Sequence, residues 1–206
     1  MLGRAAVAMW WDVPPDVRAE WEDWHSHEHM PERLRIPGFL RGTRWRAASG
    51  EPSYFVLYET ARLAVTTSAP YLERLNDPTP WSRRMMPHHL HMVRSLCRVR
   101  ATFGAGVAQA MATVRFSKRR ISKEAISELP RRKGLTGAHL LQAQPSSVVP
   151  TEEQKIRGAD ATADRVLVVG GYDLEAVQAA AMELAPAGAT TDVYRLAHCL
   201  TTRDKA

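Results

Sequence analysis

The order of secondary-structure signals repeats along the chain, and that repetition limits the fold more than any single residue does. Residues 7–12 are apolar, end at Pro14-Pro15 and read as a strand. Residues 16–29 read as a helix, because Pro15 suits a first helical turn and Asp16 and Glu20 favour its positive end. Pro37-Gly38 stop the helical region, and residues 39–47 and 53–60 read as two strands joined by the turn Ser49-Gly50-Glu51-Pro52. Residues 68–75 start a second helix; Pro78, Pro80 and Pro87 break the next stretch into short pieces; residues 90–100 read as a strand. The second half runs through the same order: strand 108–116, helix 122–132, strands 135–144 and 165–170, an Ala-rich helix 174–184 and strand 191–200. Short echoes accompany it: Gly38-Phe-Leu-Arg-Gly42 resembles Gly134-Leu-Thr-Gly137, and Val93-Arg-Ser-Leu96 resembles Val193-Tyr-Arg-Leu196.

Each half is thus β-α-β-β-α-β, the ferredoxin-like arrangement. A four-stranded sheet with helices on one face leaves its other face apolar and bare, and two such sheets packed together remove the problem. The expected fold is α+β: two tandem ferredoxin-like units, residues 1–103 and 104–206, packed sheet-to-sheet as a pseudo-dimeric α+β barrel, with a joint at residues 102–106. Residues 145–164 form the one long polar insert and are expected to be a mobile hairpin loop.

Composition excludes several classes. At 206 residues, 45% hydrophobic and 24% charged, the chain can bury an ordinary core, and no apolar run is long enough to cross a bilayer. The N-terminal stretch lacks the apolar run and cleavage site of a secretory signal. Cys97 and Cys199 form no CxxC pair, which fits a reducing cytoplasm. The net charge of +6 includes the runs Lys118-Arg119-Arg120 and Arg131-Arg132-Lys133. Only Phe116 lies near them, so they read as solvated charges rather than a nucleic-acid surface. The expected partner is a small-molecule substrate, with no nucleic acid and no membrane; further association into a homodimer is compatible with this reading.

Chemistry is concentrated in histidine. Three of the chain's eight histidines fall in His25-Ser26-His27-Glu28-His29-Met30-Pro31-Glu32, and three more in Pro87-His88-His89-Leu90-His91. Histidine changes charge near neutral pH and is the commonest metal ligand. Helical spacing puts Trp21, His25, Glu28, His29 and Glu32 on one stripe and turns His27 away. Pro31 must kink or end the helix near 27–30. The string His25-Ser-His-Glu28-His29 also fits the H-x-x-E-H pattern of inverted zinc peptidases, but no distal acidic ligand identifies itself. Arg44, mid-strand between Thr43 and Trp45, would anchor an anion or pair with Glu28 or Glu59. Trp24 and Tyr58 read as core packing before they read as a pocket wall, and at His25 a satisfied buried imidazole competes evenly with catalysis. Trp81, His88 and His91 sit in a Pro-rich loop, where binding residues often lie.

Residues 10–99 resemble the EthD-like proteins of the dimeric α+β barrel superfamily. The resemblance is carried by Trp24-His25-x-x-Glu28-His29-Met30-Pro31-Glu32, Ile36-Pro37-Gly38-Phe39, Arg44-Trp45 and the strand from Tyr54 to Glu59. The second half lacks the Glu-His-x-Pro-Glu signature. The resemblance implies a pocket between the first helix and the sheet, a polar centre at Glu28-His29, and membership of a superfamily of small cofactor-independent enzymes, heme binders and proteins of no known activity.

Two chemistries are expected from these residues. The first is a cofactor-independent lyase or isomerase acting on a small aromatic or lactone-like carboxylated metabolite. His29 would be the general acid/base, His25 a second proton carrier, and Glu28 or Glu32 the group that raises the basicity of His29. Arg44 would hold a carboxylate or enolate, and Trp24, Tyr58, Trp81, His88 and His91 would bind the substrate. The alternative is a protein holding heme or a divalent transition metal through His25, His29 and His88 or His91. A non-catalytic small-molecule binder is the third.

Overall fold

A computed structural model describes residues 1–117, 119–145, 149–158 and 160–204. The first half comprises β1 (Ala5–Asp12), α1 (Arg18–Trp24), a π-helical turn (His25–His29), α2 (Met30–Arg35), β2 (Phe39–Ala47), β3 (Tyr54–Thr60), α3 (Ala69–Asn76), α4 (Pro80–Met85) and β4 (Leu90–Gly104). The second comprises β5 (Ala110–Phe116), α5 (Lys123–Glu128), β6 (Leu135–Ala143), α6 (Glu152–Arg157), β7 (Arg165–Gly171), α7 (Leu174–Leu184) and β8 (Thr190–Thr201). Among the described residues, no helix is long and apolar enough to cross a membrane.

The eight strands close into one antiparallel barrel in the order β1-β3-β2-β8-β5-β7-β6-β4. Within it, β4-β1-β3-β2 and β8-β5-β7-β6 follow the same relative order. The expected picture of two sheets stacked face to face needs one correction. The halves are hydrogen-bonded along both edges: β2 pairs with β8 from Arg41↔Thr201 to Ala47↔Tyr194, and β4 pairs with β6 from Cys97↔Ala143 to Gly104↔Gly137. Closure satisfies the backbone groups that open edges would leave exposed. It also carries β4 on from the expected end at residue 100 to Gly104, into the expected joint at residues 102–106.

Closure explains why β1 and β3 are apolar at nearly every position rather than alternating. Ala6, Ala8, Trp10, Phe55 and Leu57 point into the barrel, whereas Val7, Met9, Trp11, Tyr54, Val56 and Tyr58 point outward beneath the helices. Both faces are buried. The barrel is filled rather than hollow. Trp10 stacks on Phe55 at 4.9 Å, Phe55 meets Tyr194 at 5.7 Å, and the Trp10 indole N–H donates to Thr113 Oγ1 at 3.1 Å across the two halves. Ligand space must therefore be sought outside the barrel wall. There the halves differ: the second packs small aliphatic residues such as Ala112, Ala180, Ala181 and Val177, and the first packs Trp11, Trp21, Trp24, Tyr58, Tyr71 and Met86.

Three local expectations change. The helix expected over residues 16–29 is interrupted but does not stop. Pro31 has no N–H, so an α-helical bond to the residue 27 carbonyl is lost; the backbone widens into a π turn in which Met30 N–H bonds the His25 carbonyl, and the helix runs on to Arg35. The region broken by Pro78, Pro80 and Pro87 contains α4, started by Pro80 and capped by Thr79, whose Oγ1 accepts from Ser82 N–H at 3.0 Å. The insert 145–164 contains α6, headed by a Thr151/Gln154 capping box, instead of being a plain loop. Of that insert, residues 146–148 and 159 lie outside the described residues, as does Lys118 of the first basic run.

Two glycines matter to the site. Gly38 takes φ +96°, the left-handed turn that swings the chain from α2 into β2. Gly42 on β2 lets α2 lie close to the sheet: a Cβ there would stand 2.8 Å from the Tyr58 ring and 3.1 Å from Met30 Cγ. Tyr58 is itself held by Phe39 at 5.8 Å. We expect Gly42→Ala to lower unfolding stability by about 1–3 kcal/mol, the range for overpacking a filled core. Chemical denaturation measures this, and a loss within error would mean that Tyr58 moves aside freely.

Candidate active site

The aromatic packing of the first half encloses a small polar chamber. It lies between the outer face of β1, β3 and β4, the π turn with α2, helix α3, and α6 from the second half. Its volume is about 30 Å³. His25, His29 and Arg33 enter it from one helical stripe at four-residue intervals, so the π turn and α2 present all three to the same side. Trp11 comes from β1, Tyr58 from β3, His89 from the turn before β4, and Glu153 and Arg157 from α6.

The two central imidazoles rest on indole rings. His25 stacks on Trp21 at 5.0 Å, His29 lies 4.6 Å from Trp24, and the imidazoles are 5.5 Å apart. Burial, then the nearby charge of Arg44, holds His25 well below the usual imidazole range; burial, then Arg33, does the same for His29. Both are neutral at neutral pH, and the Nδ1 atom of each is buried without a hydrogen-bond partner.

His89 differs. Its Nε2 accepts from the Trp21 indole N–H at 3.1 Å, and Nδ1 lies 3.2 Å from the Met86 carbonyl. An indole nitrogen only donates, so Nε2 is the bare nitrogen and Nδ1 carries the proton. Burial, then the charge of Arg157, pulls His89 down to about 3. Both its nitrogens are engaged, which makes it a strut between α1 and the turn Met86–His88.

Facing the imidazoles are donors. Arg33 is buried and ion-paired with Glu153, yet its Nη1 has no partner. The Tyr58 hydroxyl and the Trp11 indole N–H are likewise buried and unpartnered. Burial, above other causes, raises the Tyr58 pKa, so the phenol keeps its proton. Five residues that line the one chamber, Trp11, His25, His29, Arg33 and Tyr58, therefore each carry an unpaired buried polar atom. Unpaired buried polar atoms are uncommon, and a cluster of them calls for a polar occupant.

The sequence-expected residues divide. His25, His29 and Tyr58 line the chamber. Glu28 turns away to accept from Trp24 at 3.1 Å and from Thr79 at 2.5 Å, bracing α4, and Glu32 lies 3.5 Å from Arg74. Neither carboxylate therefore serves as the expected partner of His29, and burial with Arg33 beside it pushes the imidazole the other way. Arg44 pairs with neither Glu28 nor Glu59: it donates to the Glu22 carbonyl at 2.9 Å beside the Trp21 ring, while Arg41 takes Glu59. Trp24 lies behind His29, outside the chamber lining. Trp81 is half-buried and donates to Glu20 at 3.2 Å. His88 is half-buried outside the lining, and His91 is exposed with Nδ1 3.1 Å from Asp12. His27 is exposed, as its helical phase requires.

The alternative ligand sets fare poorly against this geometry. His88 and His91 do not join His25 and His29 at the chamber, and among the described residues no group of three or more His, Cys, Asp or Glu is placed to hold a metal. A space of about 30 Å³ holds one or two water molecules, so as it stands the chamber admits neither a heme macrocycle nor an organic substrate.

Sequence reasoning missed Arg33, Trp11, His89, Glu153 and Arg157. Helical spacing would have found Arg33, four residues after His29. His89 differs from its histidine neighbours only in orientation. Nothing local announces Glu153, whose partner lies 120 positions away.

No family model and no curated protein matches the chain. Solved structures do. An anthrone oxidase-like protein superposes with TM-score 0.62 at 12% identity, over 98% of this chain and 94% of the other. A putative monooxygenase from Fusobacterium nucleatum gives TM-score 0.57 at 10% identity, over 98% and 96%. A heme-binding protein from Thermus thermophilus gives 0.52 at 10% identity, over 96% and 92%. At such identities the likeness concerns the fold, a barrel of the dimeric α+β type.

The buried imidazoles make stability pH-dependent. Unfolded, each titrates near 6.5; folded, each stays neutral well below that. Below about pH 6.5 the unfolded chain therefore binds more protons, and acid favours unfolding. For His89 the window runs from 6.5 down to about 3. Each imidazole contributes up to about 1.4 kcal/mol per pH unit inside its window. Urea midpoints should fall from pH 7.5 to 5.0, and fall less in His89→Gln. Equal falls in the two proteins would mean that His89 is already charged in the native state.

Proposed function

We propose that the chamber is the active site of a cofactor-independent lyase or isomerase that moves a proton on a small oxygenated molecule. The observation that carries this reading is that five residues lining the chamber each hold an unpaired buried polar atom, two of them on neutral imidazoles and three on donors. His29 acts as the base that removes a proton and the acid that returns one, and His25 is the second carrier. As the proton leaves, negative charge grows on the substrate oxygen. Arg33, Tyr58 and Trp11 donate to that oxygen, and burial strengthens their effect. The low basicity of His29 in the resting state suits this scheme, because the anion formed beside it favours the imidazolium.

An oxygenase is the second reading. It is favoured by the neighbours described as a monooxygenase and an anthrone oxidase-like protein. Its first step would be the same proton removal, giving an electron-rich enolate or phenolate that dioxygen then oxidises. The two readings part only after that step. In both, residues 1–103 are taken as an EthD-like ferredoxin-like unit carrying the proton-transfer groups. Residues 104–206 are taken as a second such unit, which completes the barrel and adds α6. Strand order and the Glu28-His29-Met30-Pro31-Glu32 motif support that division.

The test is deuterium uptake from D₂O into a panel of phenolic ketones and unsaturated lactones, each with and without a carboxylate, followed by NMR without air and then with dissolved oxygen. Uptake without oxygen consumption is expected, and His29→Ala should lower its rate by about 10²–10⁴-fold while the variant stays folded. Oxygen consumption that depends on His29 would move the assignment to the oxygenase. Undiminished uptake in His29→Ala would overturn the proposed role of His29.

A further inference from the structure

Helix α6 stands between two spaces of very different size. On its inner side Glu153 and Arg157 line the closed chamber of about 30 Å³. On its outer side Gln154 and Lys155 line an open groove of about 730 Å³. Arg94 borders both. The chamber as it stands has room for about one or two water molecules, so no organic ligand meets His29 until a wall moves. The wall whose removal joins chamber to groove is α6.

That wall is held in part by an ion pair. Glu153 on α6 and Arg33 on α2 are each 4% exposed and bonded to one another; α6 also rests on α3 and the turn Met86–His88, and its Ile156 packs against the first-half core. Among the described residues lining the chamber, Glu153 is the one carboxylate, against Arg33, Arg94 and Arg157. Arg157 has its own counterion in Asp160, through bonds of 3.0 and 2.7 Å, and Arg94 donates to the Tyr71 hydroxyl at 2.9 Å. Withdrawing Glu153 alone strands the buried Arg33 charge, which is strongly unfavourable. Withdrawing it while another carboxylate arrives keeps the pair intact, and a guanidinium fork accepts either carboxylate in the same way.

We infer that the ligand of this site carries a carboxylate, which replaces Glu153 on Arg33 as α6 moves aside and the chamber opens into the groove. The inference rests on the reading of the chamber as the reactive site and adds its substrate class and route of entry. It gives Glu153 a place as an internal stand-in for the ligand. A neutral ligand of the same shape has nothing to exchange for Glu153 and leaves α6 shut.

Amide hydrogen exchange over residues 151–157 of the whole protein tests this, with benzoate and 1-naphthoate as probes and their methyl esters as controls. In the wild type, the acids should speed exchange of α6 by about tenfold and the esters should not, since opening then no longer breaks an uncompensated pair. Glu153→Gln should raise exchange without any ligand and tighten benzoate binding by about tenfold with little change for the ester, the size expected when a competing carboxylate is removed. Equal effects of acid and ester, no effect of either, or slower exchange of α6 with the acids would each overturn the inference. The wild-type arm stands alone if the variant does not fold. Deuterium uptake by neutral ketones as fast as by carboxylated ones would remove the carboxylate requirement and leave the proton-transfer reading intact. Acid-dependent opening of α6 without deuterium uptake would do the reverse.

Discussion

The pairing of β2 with β8 and of β4 with β6 is the constraint on which the rest depends. Four strands from either half would leave two bare edges and one bare face. Closing the edges buries that face as a barrel interior, and large side chains must fill it. Trp10, Trp45, Phe55 and Tyr194 do so. With large side chains filling the interior, the polar chamber lies between the outer wall and its helices. In the second half Ala180, Ala181 and Val177 pack there, whereas in the first half indole and phenol rings do.

The chamber then shows a conflict between burial and charge. Taking Arg33 out of water is costly, and breaking a buried pair of this kind typically costs about 3–5 kcal/mol. Glu153 offsets that cost from the other half of the chain. The same desolvation holds His25, His29 and His89 neutral. Arg33 is thus neutralised by a cross-half pair, beside the Arg157–Asp160 pair and Arg94, while the imidazoles stay uncharged. The second half, which carries none of the histidine signature, completes the chemical wall as well as the barrel.

Much of the architecture was legible because hydrophobic period and turn residues are local. Strand 39–47 and helix 174–184 coincide with β2 and α7. The helical stripe correctly put His25 and His29 together and turned His27 outward. Pro31 was legible as a disturbance, but its form was not: a missing N–H permits a stop, a kink or a π turn, and packing of Met30 and Leu34 into the first-half core favours the one that keeps α2 on the sheet. Glu28 misled because proximity in sequence to His29 does not aim a side chain; its carboxylate is taken by Thr79 and Trp24.

By itself, the sequence determined the repeated strand and helix order, the histidine stripe and the stop at Pro37-Gly38, since each rests on a few neighbouring residues. Only the tertiary structure decided which histidines keep an unpaired nitrogen at the chamber and which is a strut. It also decided which arginine faces the chamber, and that α6 from a polar insert forms its last wall. Those outcomes depend on desolvation and on pairings such as Arg33 with Glu153, 120 positions apart, which no local pattern encodes.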